Sequence, residues 1–399
     1  MAAEAPLAGT RVLDLTNVLA GPFACHQLAH LGAEVIKVEA VGRGDLARQL
    51  GADPELSAKG MGVSFLAQNA GKASMTLNLK DPRGKEALRA LVTRADVLVE
   101  NFRPGVMDRL GLGHEILRGD NPQLIYCAIS GFGQTGPWAG RPAYDQIVQG
   151  AAGVMDVTGT ENGGPQRVGY PLADTVGGLT AAMAICAALN APERGAFIDV
   201  SMLDSVLATM GWVVSNHLIG GVTPTRNGNE NPTSAPSGAF QCADGLINIA
   251  ANEERQWQAL ARHLGRDELL DGAEFATRED RKANRLRLKA ELETVLTTRN
   301  ARDWARELNA AGVPAGAVMS VPDILTHPQV AGRDLLARFE DVPGLDRAID
   351  LMRVGASIDG ARPSVAAPPP ALGADTDRIL TELGYPPKEI ATLREEGVI

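Results

Sequence analysis

RVLDLTNVLAGPFACHQLAHLGAEVIKV, residues 11–38, is the stretch whose reading decides the fold. Arg11 to Leu15 reads as a strand. Pro22 to Leu31 then reads as a helix, because proline at a first turn has its φ already set for a helix, and Gly32 is a natural stop. Glu34 to Val38 is the next strand. Strand, helix and strand in immediate succession describe a crossover unit, which lays the two strands parallel with the helix across them.

Working outward, the alternation continues with a strand at Met75–Leu79, a helix opening at Asp81-Pro82, and strands at Asp96–Val99 and Leu124–Ser130. A helix at 175–190 places Val176, Leu179, Thr180, Met183, Ala184 and Ala187 on one face. A strand near Phe197–Val200 and an apolar helix over Ser201–Leu218 follow. The expected class is α/β, with a parallel sheet covered by helices.

The pattern breaks at Thr223. Residues 223–238 carry three prolines, several Asn and Gly, and no apolar period, so they read as a linker or binding loop. Ala239–Ala243 and Leu246–Ala250 then flank Asp244-Gly245, a hairpin signal. Trp257, Leu260, Ala261 and Leu264 mark an amphipathic helix, and further helices are expected over Ala283–Thr298 and Arg302–Ala311. The expected division is a large domain over 1–222, a smaller α/β domain over 223–328, and a C-terminal segment over 329–399. That segment holds a strand-like Arg347–Val354, a proline-rich strap at Pro363–Pro370 and a helix near Asp375–Leu383.

Composition excludes several function classes. A formal charge of −10 argues against a general nucleic-acid or membrane surface binder. No membrane span or secretory signal is read in the sequence. The four cysteines (Cys25, Cys127, Cys186, Cys242) form no CxxC pair, and the six histidines show no metal-ligand spacing, so no metal site is expected. Free buried thiols indicate a reducing, cytoplasmic setting.

Gly131-Phe-Gly133-Gln-Thr-Gly136 is formally GxGxxG after a strand. A dinucleotide fingerprint requires a helix to begin within that turn, whereas Pro137 and Pro142 follow. No GxSxG elbow is present. The basic residues are more informative. Arg43, Lys72, Arg103 and Arg109 sit in or near loops flanking strands, and ligands of open parallel sheets bind beyond the strands' C-terminal ends. Cations there suit a polyphosphate, and Phe102 suits a base. Asp174 stands at the entrance of the long apolar helix, where it reads either as an N-cap or as a nucleophile.

Val12-Leu-Asp-Leu-Thr16, Ala20-Gly21-Pro22 and Leu31-Gly-Ala-Glu-Val-Ile-Lys-Val-Glu39 together resemble the opening of class III CoA-transferases. Asn69-x-x-Lys72, Val99-Glu-Asn-Phe-Arg-Pro-Gly105, Ser130-Gly-Phe-Gly133 and Tyr144-Asp145 continue the resemblance in order. It implies a large Rossmann-like domain completed by the C-terminal segment, a smaller inserted domain, and an interlocked homodimer. It also implies acyl-CoA and a carboxylic acid as substrates, with no tightly bound cofactor. By the same resemblance Asp174 is the catalytic aspartate, Asn101 and Phe102 are adenine-side contacts, and Lys72 and Arg109 lie near the CoA phosphates. Arg43 and Arg103 join them by placement, and Asn17, Leu19, Tyr144, Asp145 and Gly238 are expected around the acyl group.

Formyl-CoA transferase carries glutamine where Leu19 stands here, and a glycine-rich loop where this chain has residues 229–238. A larger acid, such as a small dicarboxylate, fits the change. In the mechanism the resemblance implies, a carboxylate attacks the thioester to form a mixed anhydride, which the acceptor acid and the returning thiolate resolve. Two alternatives are a 2-methylacyl-CoA racemase of the same fold and a non-catalytic CoA-binding protein. The racemases place a histidine where Tyr144 stands, and tyrosine is a poor proton acceptor at neutral pH.

Overall fold

The computed structural model describes residues 5–399, which group into two compact units. The first comprises the chain up to Val154, then Arg167–Val222 and Gln329–Ile399; the second comprises Met155–Gln166 and Thr223–Pro328. Met155–Gln166, expected with the large domain, thus groups with the smaller one. The reason is local: Arg226 binds the backbone and carboxylate of Asp156, and Gly228 N donates to Gly159 O.

In the first unit six strands form one sheet: β1 (Arg11–Leu15), β2 (Glu34–Glu39), β3 (Lys72–Thr76), β4 (Val97–Glu100), β5 (Ile125–Ser130) and β6 (Ala196–Ser201). Their order is β3-β2-β1-β4-β5-β6 and every pairing is parallel. The period of two along a strand builds two separate cores. Val12, Val35, Val97, Val99, Ile125 and Cys127 pack into one. Their neighbours Leu13, Ile36, Leu98, Tyr126 and Ala128 pack into the other, on the opposite face.

The succession reverses between β1 and β4, where one half of the sheet runs outward through β2 and β3 and the other through β5 and β6. A crevice opens beyond the strand ends at such a switch point. The loops after β1 and β4 bracket it, and paired hydrogen bonds join them: Asn17 N donates to Asn101 Oδ1 and Asn101 Nδ2 to Asn17 O, both at 2.8 Å.

Helix Leu172–Leu189 packs on the first helix, Ala20–His30. Gly178 makes that approach possible, since a Cβ there would lie 2.6 Å from Ala20 O, and one on Gly177 would lie 2.9 Å from Met202 Cγ. These glycines therefore serve helix packing. Among the described residues this helix is the one long and apolar enough to cross a membrane, although the sequence reading found no span. Its contacts to Ala20–His30, to helix Met202–Thr209 and to β5 and β6 account for the apolar residues of its buried face, while Leu179 and Met183 on the same helix are exposed.

The C-terminal segment closes the β3 edge. Asp375 Oδ2 accepts from Ser74 N, Thr376 Oγ1 from Thr76 N, and Val398 O from Asn78 N. Covering an edge in this way blocks strand addition by another chain.

Several elements differ from expectation. β3 begins three residues earlier than the expected Met75–Leu79. The expected helix Ser201–Leu218 is two helices, Met202–Thr209 and Trp212–Gly220, divided at Gly211, whose φ is +43°. Helix Pro387–Glu395 and the strand Leu336–Phe339, paired with Ile349–Met352, were not read from the sequence.

The second unit has its own three-stranded sheet, β7 (Ser237–Gln241), β8 (Leu246–Ala250) and β9 (Ala315–Ala317), covered by helices Glu254–His263, Arg285–Leu296 and Ala301–Ala310. Its loop 229–238 is pinned by basic side chains. Lys289 pairs with Glu230 at 3.0 Å, Arg285 donates to Asn231 O, and Arg281 donates to Ala235 O.

Candidate active site

Asp174 is the third residue of its helix, and it is not the cap: Pro171 precedes the helix and no side chain on that turn closes it. The first free N–H groups are met from a distance. Asp145 Oδ1 accepts from Ala173 N at 2.7 Å and from Asp174 N at 3.3 Å, while its other oxygen accepts from Gln149 Nε2 at 2.7 Å. Asp145, buried and held at the start of its own helix Asp145–Ala151, performs the capping that the sequence reading weighed for Asp174.

Among the described residues no donor or cation pairs with the Asp174 carboxylate. Burial, and after it the negative charge of Asp145, push the carboxyl up to about 7. The helix N-terminus pulls the other way, by about 0.3–1 kcal/mol at exposed sites. Desolvation is the larger effect here, and no cation enters the balance. A carboxylate with a raised pKa is more basic, hence a better nucleophile once ionised.

Asp174 opens onto a cavity of about 1410 Å³ at the switch point. Asn17, Leu19, Arg43, Asn101, Phe102, Arg103 and Tyr144 line it with Asp174, so eight of the expected site residues meet there. Asn101 also spends its amide bracing Asn17. The Phe102 turn is fixed by Glu100, whose carboxylate accepts from Phe102 N at 2.7 Å and is pushed up to about 8 by burial.

Four expected residues do not line the cavity. Lys72 is fully buried, donating to Asp14 Oδ2 at 2.8 Å, Pro22 O at 2.9 Å and Asn69 Oδ1 at 2.9 Å. A lysine so occupied has no charge to offer a phosphate, which corrects its expected role. Arg109 is exposed on the short helix Val106–Leu110, and Asp145 acts from behind Asp174. Gly238 lies in β7 of the second unit, where a Cβ would come within 2.7 Å of Glu230 Oε2.

The cavity also contains residues that the sequence reading missed. Lys80 and Arg141 are exposed on its wall, Arg141 with its guanidinium 4.8 Å from the Trp138 ring. Arg43, Lys80 and Arg103 have no ion-pair partner among the described residues. Lys80 had a signal: it precedes the Asp81-Pro82 helix start, just past a strand's C-terminal end. No histidine lines the cavity; His26 and His30 lie buried in the first helix. Among the described residues no cluster of His, Cys, Asp or Glu suits a metal ion.

Residues 7–376 match the family described as CoA-transferase family III. The chain is 43% identical to acetyl-CoA:oxalate CoA-transferase of Acetobacter aceti over 84% of its length and 86% of the relative. It is 36% identical to human succinyl-CoA:glutarate CoA-transferase, covering 99% of this chain and 90% of that one. The crystal structure of a CAIB/BAIF family protein from Brucella suis superposes with a TM-score of 0.83 at 36% identity, covering 96% of this chain and 100% of that one.

Proposed function

The chain belongs to CoA-transferase family III, and from that premise we propose that Asp174 is the nucleophile that carries the acyl group. The protein is a CoA-transferase that moves CoA from an acyl-CoA thioester to a free carboxylic acid. The observation that carries the assignment of Asp174 is its freedom. It faces the cavity, its capping work is done by Asp145, and its carboxyl is pushed up to about 7.

The chemistry follows from that placement. An Asp174 oxygen attacks the thioester carbonyl, the C–S bond breaks, and its electron pair leaves on the CoA sulfur. The acceptor carboxylate then attacks the aspartyl carbonyl of the mixed anhydride and releases the donor acid. The retained thiolate attacks the acceptor acyl carbon, forming the new thioester and restoring Asp174. Each step exchanges one activated acyl bond for another, so no external energy source is needed.

Arg43, Lys80, Arg103 and Arg141 supply cations for the CoA phosphates, and Phe102 offers an aromatic face for the adenine. A small dicarboxylate is our choice of acceptor, supported by relatives named for oxalate and glutarate. Association as a homodimer belongs to the same reading. It is supported by Trp212, Leu218 and Ile219, at 79%, 75% and 87% exposure on a helix with no buried residue, with Met183 nearly as open on the Asp174 helix. Cytoplasmic residence is proposed with it, supported by four unpaired cysteines.

The test is a panel of acyl-CoA donors against mono- and dicarboxylic acceptors, with products read by mass spectrometry. Wild type forms the acceptor thioester. Asp174→Ala lowers turnover about 10⁴-fold or more, since no other group forms the anhydride, and keeps CoA affinity within about threefold. Transfer by Asp174→Ala at the wild-type rate sinks the assignment.

A further inference from the structure

Val18 is a β-branched residue held at φ +69°, in the left-handed region that L side chains with branched Cβ atoms strongly avoid. It stands in the middle of Asn17-Val18-Leu19, the cavity wall between β1 and the first helix. Strain of this kind persists only where the surroundings over-determine it.

The surroundings here are side chains on neighbouring elements, not secondary structure. Thr16 N and Oγ1 donate to Asp14 Oδ1, and Thr16 O accepts from Lys37 Nζ at 2.8 Å. The Asn101 amide holds both backbone groups of Asn17, as above. Val18 N then donates to Asp45 Oδ1 at 2.9 Å. Asp45 is in turn fixed by Lys37 at 2.9 Å from its other oxygen and by its own N–H to Glu39. Asp45 and Lys37 have no side-chain exposure, so this tether is shielded from solvent. Gly21 completes the fit, because a Cβ there would lie 2.3 Å from Thr16 Cβ.

We propose that Asp45, backed by Lys37, is a positioning residue for acyl transfer. It holds Val18 in its left-handed conformation, and that conformation sets the Asn17–Leu19 wall within the cavity that Asp174 shares. Neither Asp45 nor Lys37 lines the cavity, so neither touches substrate. Their contribution passes through the backbone of Val18. A misplacement of such a wall by about 1 Å is enough to cost on the order of 10²-fold in rate.

The proposal rests on the transferase reading of the cavity, and a mutant cycle separates the two. Glycine adopts a positive φ without strain. Val18→Gly therefore removes the strain but also the half-buried side chain, and the two effects leave Tm within about 3 °C of wild type. Asp45→Ala lowers kcat about 30-fold with KM for acyl-CoA changed less than threefold. Made in the Val18→Gly background, the same Asp45→Ala change lowers kcat by less than about threefold, because glycine at position 18 no longer needs the tether. A kcat loss equal in both backgrounds overturns the proposal. Should Asp45→Ala not fold, Asp45→Asn is put through the same two backgrounds, with a smaller loss of about fivefold expected in the Val18 background alone. Wild-type protein that transfers no CoA refutes the transferase reading instead. The tether is then still judged by hydrogen exchange at the Val18 amide, which is faster in Asp45→Ala if the tether holds and unchanged if it does not.

Discussion

Two carboxylates of the same unit, Asp14 fully buried and Asp174 partly so, behave in opposite ways. Asp14, in β1, sits among Lys37 at 3.8 Å and Lys72 at 2.8 Å and accepts from Thr16. Burial alone would raise its pKa, but the two lysines and these hydrogen bonds hold it down to about 2. Asp174 is also largely shielded, yet its charged neighbour is another aspartate, and it is pushed up to about 7. The contrast separates structural charge from chemical charge. A fully paired carboxylate is locked and inert, whereas an unpaired one is costly to hold and available for bond formation.

Breaking each half of the contrast should move stability in opposite directions. Lys72→Met leaves Asp14 with one distant cation and should cost about 3–5 kcal/mol at pH 7 by denaturant unfolding. Asp14 has its pKa lowered on folding, so its contribution is present above about pH 4 and disappears as pH falls through about 2. Asp174 has the reverse sign. Its pKa is raised on folding, so ionisation penalises the folded state increasingly between about pH 4 and 7. Asp174→Asn should therefore stabilise by something on the order of 2 kcal/mol at pH 8, allowing for its partial exposure, and by nothing at pH 4. A loss of stability at pH 8 would show that Asp174 is paired after all.

The smaller test sharpens the role of Asp145. Protonated Asp174 cannot attack, so kcat/KM in wild type should rise through about pH 7 as the carboxyl ionises. Asp145→Asn keeps an acceptor for Ala173 N and removes the neighbouring negative charge. The acidic limb should move to lower pH by about half a unit to one unit. An unmoved limb would mean that burial alone sets the Asp174 pKa.

The same contrast explains what the sequence revealed. The parallel sheet was legible because RVLDL, EVIKV and the later strands carry apolar residues toward both faces, and only a doubly covered strand needs that. Asp174 was legible as a residue but not as an environment, since the cap on its helix comes from Asp145, 29 positions earlier. Lys72 was misjudged through a register slip. A strand at Met75–Leu79 leaves Lys72 in a loop, whereas it is the first residue of β3 and its ammonium is buried against Asp14 of β1. Lys80, just beyond the true end of β3, lines the cavity instead. The tether on Val18 left no local signature, because Lys37, Asp45 and Asn101 reach it from three separate segments.

The closure of the β3 edge has a consequence for biosynthesis. Ser74 N–H finds its partner on Asp375, 301 residues later, and Asn78 waits for Val398. At about 5–20 residues per second, a ribosome leaves that strand uncapped for roughly 15–60 s after it emerges. Throughout that interval the nascent chain carries an open β edge beside the very loops that will form the CoA site. The closing residues act as a clasp on a sheet made much earlier, so a chain cut short before Asp375 keeps that edge open for pairing with its neighbours.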